Sequence, residues 1–176
     1  LLAALDEKNA ETKAHTMRLS DHVMKLADRL ALNVEARNRL ILLTMLHDIG
    51  KVGIPDHILG KPGRLTEAEW QIMQTHSEIG YRIAANVPEL HVVTEEILHH
   101  HEKWDGSGYP SGLSGEKIPL NSRILAIVDA YDVMTHDQLY QPARSHEEAI
   151  AELRHQAGSQ FDPRLVERFI NQVSHW

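Results

Sequence analysis

Helix start signals punctuate this chain from end to end. Thr66 stands three residues before Glu69, and Ser145 three before Glu148. Each pair can close a capping box, in which the hydroxyl and the carboxylate satisfy each other's backbone N–H. Asn33 suits the cap of a helix running to about His47, and Asp162 followed by Pro163 suits another helix opening. Between these signals apolar residues recur at three-to-four spacing. Ala14, Met17, Val23, Ala27 and Leu30 mark a long helix over residues 1 to about 31. Ile72, Ile79 and Ile83 mark one after Thr66, with His76 on the same stripe and Leu65 and Trp70 as its hydrophobic staple. Val92, Val93, Ile97 and Leu98 follow Pro88, and Ile124, Ile127, Val128, Tyr131 and Met134 mark a helix over roughly 121 to 136. KVGIPDHILGKPGR reads as a loop, and DGSGYPSGLSGEKIP as a long functional one. No stretch alternates with the period of a strand. The expected fold is all-α, about seven helices.

A length of 176 residues fits one domain with a full core. Thirteen histidines and no cysteine exclude a disulfide framework and a thiolate zinc site, and point to a metal held by imidazole and carboxylate. The net charge of −7 argues against a nucleic-acid polymer as partner. No apolar run reaches the length of a membrane span. The opening LLAALDEKNA has no basic region of a signal peptide and no initiator methionine, so it is expected to be the end of a helix entering from upstream. HExxH, G-x-S-x-G, the P-loop and G-x-G-x-x-G do not occur.

Five places carry chemistry. Glu11 and His15, four apart on one helix face, can aim at one site. His47 and Asp48 adjoin at the end of an apolar helix. His76 lies on an apolar stripe. His99, His100 and His101 enter the Gly-rich loop together, and a buried polar triplet there is costly unless solvated or ligating. Asp129 lies within ILAIVDAYDVM, where a buried unpaired carboxylate would be expensive. A mixed nitrogen and oxygen set of this kind suits Mn, Fe, Co, Ni or Zn.

HDIGK at 47 to 51, taken with HHEKWDGSGYP at 100 to 110, resembles the HD-GYP branch of the HD-domain phosphohydrolases. VGIPDHILGKPGRLTEAEW, GLSGEKIPLNSRILAIVDAYDVMT and AGSQFDPRLVERF are similar too, so the resemblance covers roughly residues 8 to 170. It implies a connecting-helix end over 1–8 and an HD-GYP catalytic domain over 9–176. The implied activity is cytoplasmic, bacterial and metal-dependent: hydrolysis of cyclic di-GMP to pGpG, GMP or both. The implied cofactors are two or three divalent metal ions, iron or manganese foremost, with nickel, cobalt or zinc as alternatives. By the same resemblance the ligands are His47, Asp48, His76, His100, His101 and Asp129, with Asp48 bridging, and Glu11 and His15 hold the extra ion of trinuclear members. Lys51 matches the lysine that approaches the substrate phosphate. Gly108, Tyr109 and Pro110 form the loop that shapes the site and contacts diguanylate cyclase domains. An upstream receiver or sensor domain and a homodimer are the further partners expected.

The chain also departs from that pattern. Where the family reads like TSDRPYR, this chain reads THDQLYQPA, with Gln138 and Gln141 in the positions of basic phosphate clamps. Glutamine donates a hydrogen bond without charge, worth about 1 kcal/mol against roughly 1.5–3 for a charged donor. The expectation is an intact metal centre with an altered substrate clamp. The alternatives are the same chemistry on pGpG or another cyclic nucleotide, and a weakly active module that binds cyclase domains.

Overall fold

Short polar side chains satisfy first N–H groups at the start of four helices. The computed structural model describes residues 10–137 and 142–173, with side chains from residue 14 onward. Its α-helices are α1 Ala10–Arg29, α2 Val34–Leu46, α3 Asp56–Leu59, α4 Glu67–Gln74, α5 His76–Ala85, α6 Thr94–Leu98, α7 Leu120–Thr135, α8 His146–His155 and α9 Pro163–Val173. Asn33 caps α2 through Ala36 N at 2.8 Å. Both capping boxes are closed, by Thr66 and Glu69 on α4 and by Ser145 and Glu148 on α8. The buried Asp162 carboxylate accepts from Arg164 N at the start of α9. Each such cap is worth about 1 kcal/mol. Among the described residues extended pairing is confined to one bridge, Ala157 with Phe161.

The helix count expected from periodicity is exceeded because two stretches break and one loop winds. The stripe after Thr66 divides at Thr75, whose hydroxyl donates to Ile72 O at 2.7 Å and tightens the turn. The break resets the helical phase, so Ile72 is 42% exposed instead of sharing the face of Ile79 and Ile83. The stretch after Pro88 runs as a 3-10 turn over Pro88–Val93 before α6 starts. KVGIPDHILGKPGR, expected as loop, holds the end of a 3-10 turn, Ile49–Gly53, and the short α3. On α1 the expected stripe is misphased at its start. Met17 is 66% exposed, because His15 and Arg18 take the inward side of that turn and apolar burial begins at Leu19.

The core lies where α1 packs on α2 and α7, with α8 and α9 closing the far side. Leu19, Val23 and Leu26 of α1, Leu40 and Leu43 of α2, and Ile124, Ile127 and Val128 of α7 are fully buried, as are Leu153 and Phe169. Each such side chain contributes about 1.5–3 kcal/mol on leaving water. The turn at Ile49–Gly53 crosses α5 so closely that a Cβ on Gly50 would sit 1.8 Å from His76 O and 2.5 Å from Gly80 N. Only glycine allows that crossing, and the crossing sets Asp48 beside His76.

Candidate metal centre

Two adjoining groups of side chains converge between α1, α2, α5, α7 and the residues after α6. One contains Asp48, His76, His100 and His101; the other contains His15, His47 and Asp129. Asp48 faces both. Its Oδ1 lies 3.6 Å from His76 Nε2 and its Oδ2 lies 3.4 Å from His47 Nε2. His15 Nε2 lies 3.2 Å from Asp129 Oδ1. All the ligand residues inferred above that fall among the described side chains are thus in these two groups. Glu11, Gln138 and Gln141 lie outside the described side chains. His99 stays out of the groups, since Nδ1 donates to Glu95 O at 2.9 Å and Nε2 meets Ser111 Oγ at 3.2 Å.

The donor set fits a cation. His47, His76 and His100 each place Nδ1 on the carbonyl three residues earlier, at 3.0, 2.7 and 2.6 Å. A carbonyl only accepts, so Nδ1 carries the proton and Nε2 offers a lone pair. His76 Nε2 and His100 Nε2, both unprotonated, face each other at 3.3 Å, while His101 Nε2 lies 3.1 Å from His76 Nε2. Facing lone pairs repel, whereas two nitrogens bound at about 2.1 Å to one ion sit roughly 3.0–3.4 Å apart.

Electrostatics sort the groups by role. Burial first, then His47, push His100 down to about 3. Burial lowers His76 as well, and burial together with His100 and His76 holds His101 well below the usual imidazole range. These three imidazoles are neutral at pH 7, as metal ligation requires. Burial works against the Asp48 charge, but Lys51, His47 and His100 outweigh it and hold the carboxyl well below its usual range. Lys51 Nζ lies 2.6 Å from Asp48 Oδ2, which raises its pKa against the opposing effect of burial.

Asp132 is the residue that sequence reasoning missed. Its carboxylate is fully buried and accepts from His15 Nδ1 at 2.7 Å and from Arg18 Nε and Nη2 at 2.7 and 2.8 Å. Asp129, three residues earlier on the same helix, has its side chain 31% exposed and sits with His15 and His47. For Asp132, hydrogen bonds from His15 and Arg18 override burial and hold its carboxyl well below the usual range. His15 is raised to about 9, since Asp129 and Asp132 outweigh its desolvation. The pattern is that of a carboxylate orienting a candidate ligand imidazole. Its one sequence signal is the spacing of three from Asp129 on a helix.

The loop at 108–110 closes over the paired histidines. A Cβ on Gly108 would lie 2.3 Å from Lys103 N and 2.5 Å from Glu102 Cα, so the chain folds back there only with glycine. Tyr109, joined to Pro110 by a cis peptide, stacks on His101 with centroids 4.9 Å apart. Buried Glu102 holds the loop by accepting from Ser111 N and Leu113 N at 2.7 and 3.1 Å. Burial and Asp48 push the Tyr109 phenol up, so it remains a proton donor at neutral pH.

Residues 2–165 match the HD domain family. A cyclic di-GMP phosphodiesterase of Vibrio cholerae is 41% identical over 97% of this chain, which covers 38% of that protein. A 3'3'-cGAMP-specific phosphodiesterase of the same organism is 39% identical over the full chain, which covers 34% of it. Among solved structures, a cyclic GMP-AMP-specific phosphodiesterase of Vibrio cholerae superposes with a TM-score of 0.72 at 24% identity, over 91% of this chain and 44% of that one. The likeness to that structure is one of fold. The chain spans less than half the length of each of these three proteins.

Proposed function

The chain belongs to the HD domain family, and from that membership we propose that it is the catalytic unit of a bacterial metal-dependent phosphodiesterase acting on cyclic di-GMP. One observation carries the reading: the two oxygens of Asp48 face two adjoining histidine groups, with the Lys51 ammonium beside them. In this proposal His47, Asp48, His76, His100, His101 and Asp129 hold two ions, and His15 with Glu11 holds a third. Iron or manganese is the proposed metal, with nickel, cobalt or zinc as alternatives. Bound ions supply Lewis acidity toward the phosphate and a water that ionises near neutral pH.

The chain's own residues do the rest. His76, His100 and His101 stay neutral and keep their lone pairs available. Lys51 stays protonated and brings positive charge to a non-bridging phosphate oxygen. Tyr109 covers one face of His101 and limits water there. The proposed setting is the bacterial cytoplasm, with an upstream receiver or sensor domain, cyclase domains at the 108–110 loop and a homodimer as partners. A second reading, 3'3'-cGAMP or pGpG as preferred substrate, is favoured by Gln138 and Gln141 and by the identity to a 3'3'-cGAMP-specific relative.

The test pairs metal analysis of anaerobically purified protein with product analysis on cyclic di-GMP, 3'3'-cGAMP and pGpG. Cyclic di-GMP should be cleaved fastest, and Asp48→Ala should lose metal and about a hundredfold or more in rate. Asp48→Ala protein that keeps both its metal and its rate sinks the reading. Faster cleavage of 3'3'-cGAMP or pGpG selects the second one.

A further inference from the structure

Trp70 has no part in the centre described above, yet it stands beside it. It lies in the first half of α4, 43% exposed, with its ring centroid 6.3 Å from that of Tyr109 at an interplanar angle of 86°. Tyr109 in turn stacks on His101. Three rings therefore lead from a candidate metal ligand out to an open indole. The mount is rigid. Trp70 N donates to Thr66 O at 2.8 Å, the Thr66–Glu69 box fixes that turn, and Lys61 pairs with Glu69. A pre-positioned aromatic face beside a phosphate-handling centre is the feature on which nucleobases stack in single-stranded nucleotide sites. Rigidity lowers the ordering cost of such a contact.

We propose that Trp70 is the platform on which one purine base of the dinucleotide stacks while its phosphate lies at Lys51 and the histidine groups. The inference rests on the phosphodiesterase reading. A stacking face does not distinguish guanine from adenine, so the contact serves cyclic di-GMP and 3'3'-cGAMP alike.

The test compares Trp70→Leu, which keeps apolar bulk, with Trp70→Phe, which keeps a π face. Each is assayed on cyclic di-GMP, 3'3'-cGAMP and the base-free ester bis(p-nitrophenyl) phosphate. In Trp70→Leu the ratio of dinucleotide to base-free kcat/KM should fall about tenfold, chiefly through KM and equally for both dinucleotides. Trp70→Phe should recover most of it. Indole fluorescence gives a readout independent of turnover. In Trp104→Phe/Trp176→Phe protein Trp70 is the one remaining indole, and cyclic di-GMP added to metal-loaded protein at low temperature should quench it. An unchanged ratio in Trp70→Leu, or no quenching, overturns the inference and leaves the indole as a surface for a protein partner. Wild-type protein inert toward every ester defeats the phosphodiesterase reading instead, and the quenching experiment then decides the stacking alone.

Discussion

Asp132 orients His15 from a position with no water to share its charge. Arg18 grips both of its oxygens, so the carboxylate cannot swing away from the imidazole. Asp132→Asn keeps the shape and removes the charge. Metal affinity should fall about ten- to a hundredfold, read by titration of metal-free protein, and the thermal midpoint should drop because two cationic partners lose their counter-charge. Unchanged affinity in a folded variant would mean that His15 needs no such support. This residue was illegible in the sequence because its partners lie 117 and 114 positions away. His47 with Asp48, and His100 with His101, were legible because adjacent polar residues at the end of an apolar helix already raise the question of what satisfies them. Met17 was misjudged for the converse reason: spacing reports a face, and only the partner across from it says whether the face is covered.

At the scale of elements, starts were read better than stops. A cap is a local bargain between residues three apart, so Asn33, Thr66, Ser145 and Asp162 announced their helices. The break at Thr75 was hidden, since a threonine within a helical pattern is ordinary until its hydroxyl competes for a carbonyl. The crossing at Gly50 was hidden as well, because a close approach belongs to two elements at once. Gly50→Ala should force the Ile49–Gly53 turn off α5. Overpacking of this kind costs about 1–3 kcal/mol, and each kcal/mol lowers the midpoint of a chain this size by roughly 2–4 °C. The same variant should bind metal more weakly, because His76 moves relative to Asp48. Calorimetry and metal titration on one preparation check both, and a variant with wild-type values in each would show that the crossing has slack.

Over the whole molecule, the histidines couple folding to pH in two opposing senses. His76, His100 and His101 have lowered pKa values in the metal-free fold, His100 near 3. On unfolding they return toward 6.5 and take up protons, so stability falls as pH drops from about 6.5 toward 3. His15 is raised to about 9, so its contribution is whole below about 6.5 and disappears as pH rises through 9. Metal-free protein should therefore melt highest near pH 6.5 and lower on either side, and a midpoint that climbs steadily toward pH 4 would contradict this. Three of the proposed ligand residues follow the ends of helices. α2 stops just before His47, α4 two residues before His76, and α6 two residues before His100. Each of these imidazoles donates to a carbonyl in the closing turn, one that helix geometry tends to leave without an internal donor. An ion held by those imidazoles is thus a shared stopper for three separate stretches of chain. Fraying at any one of them and release of the ion become a single linked equilibrium, so the centre and the helix ends hold or loosen together.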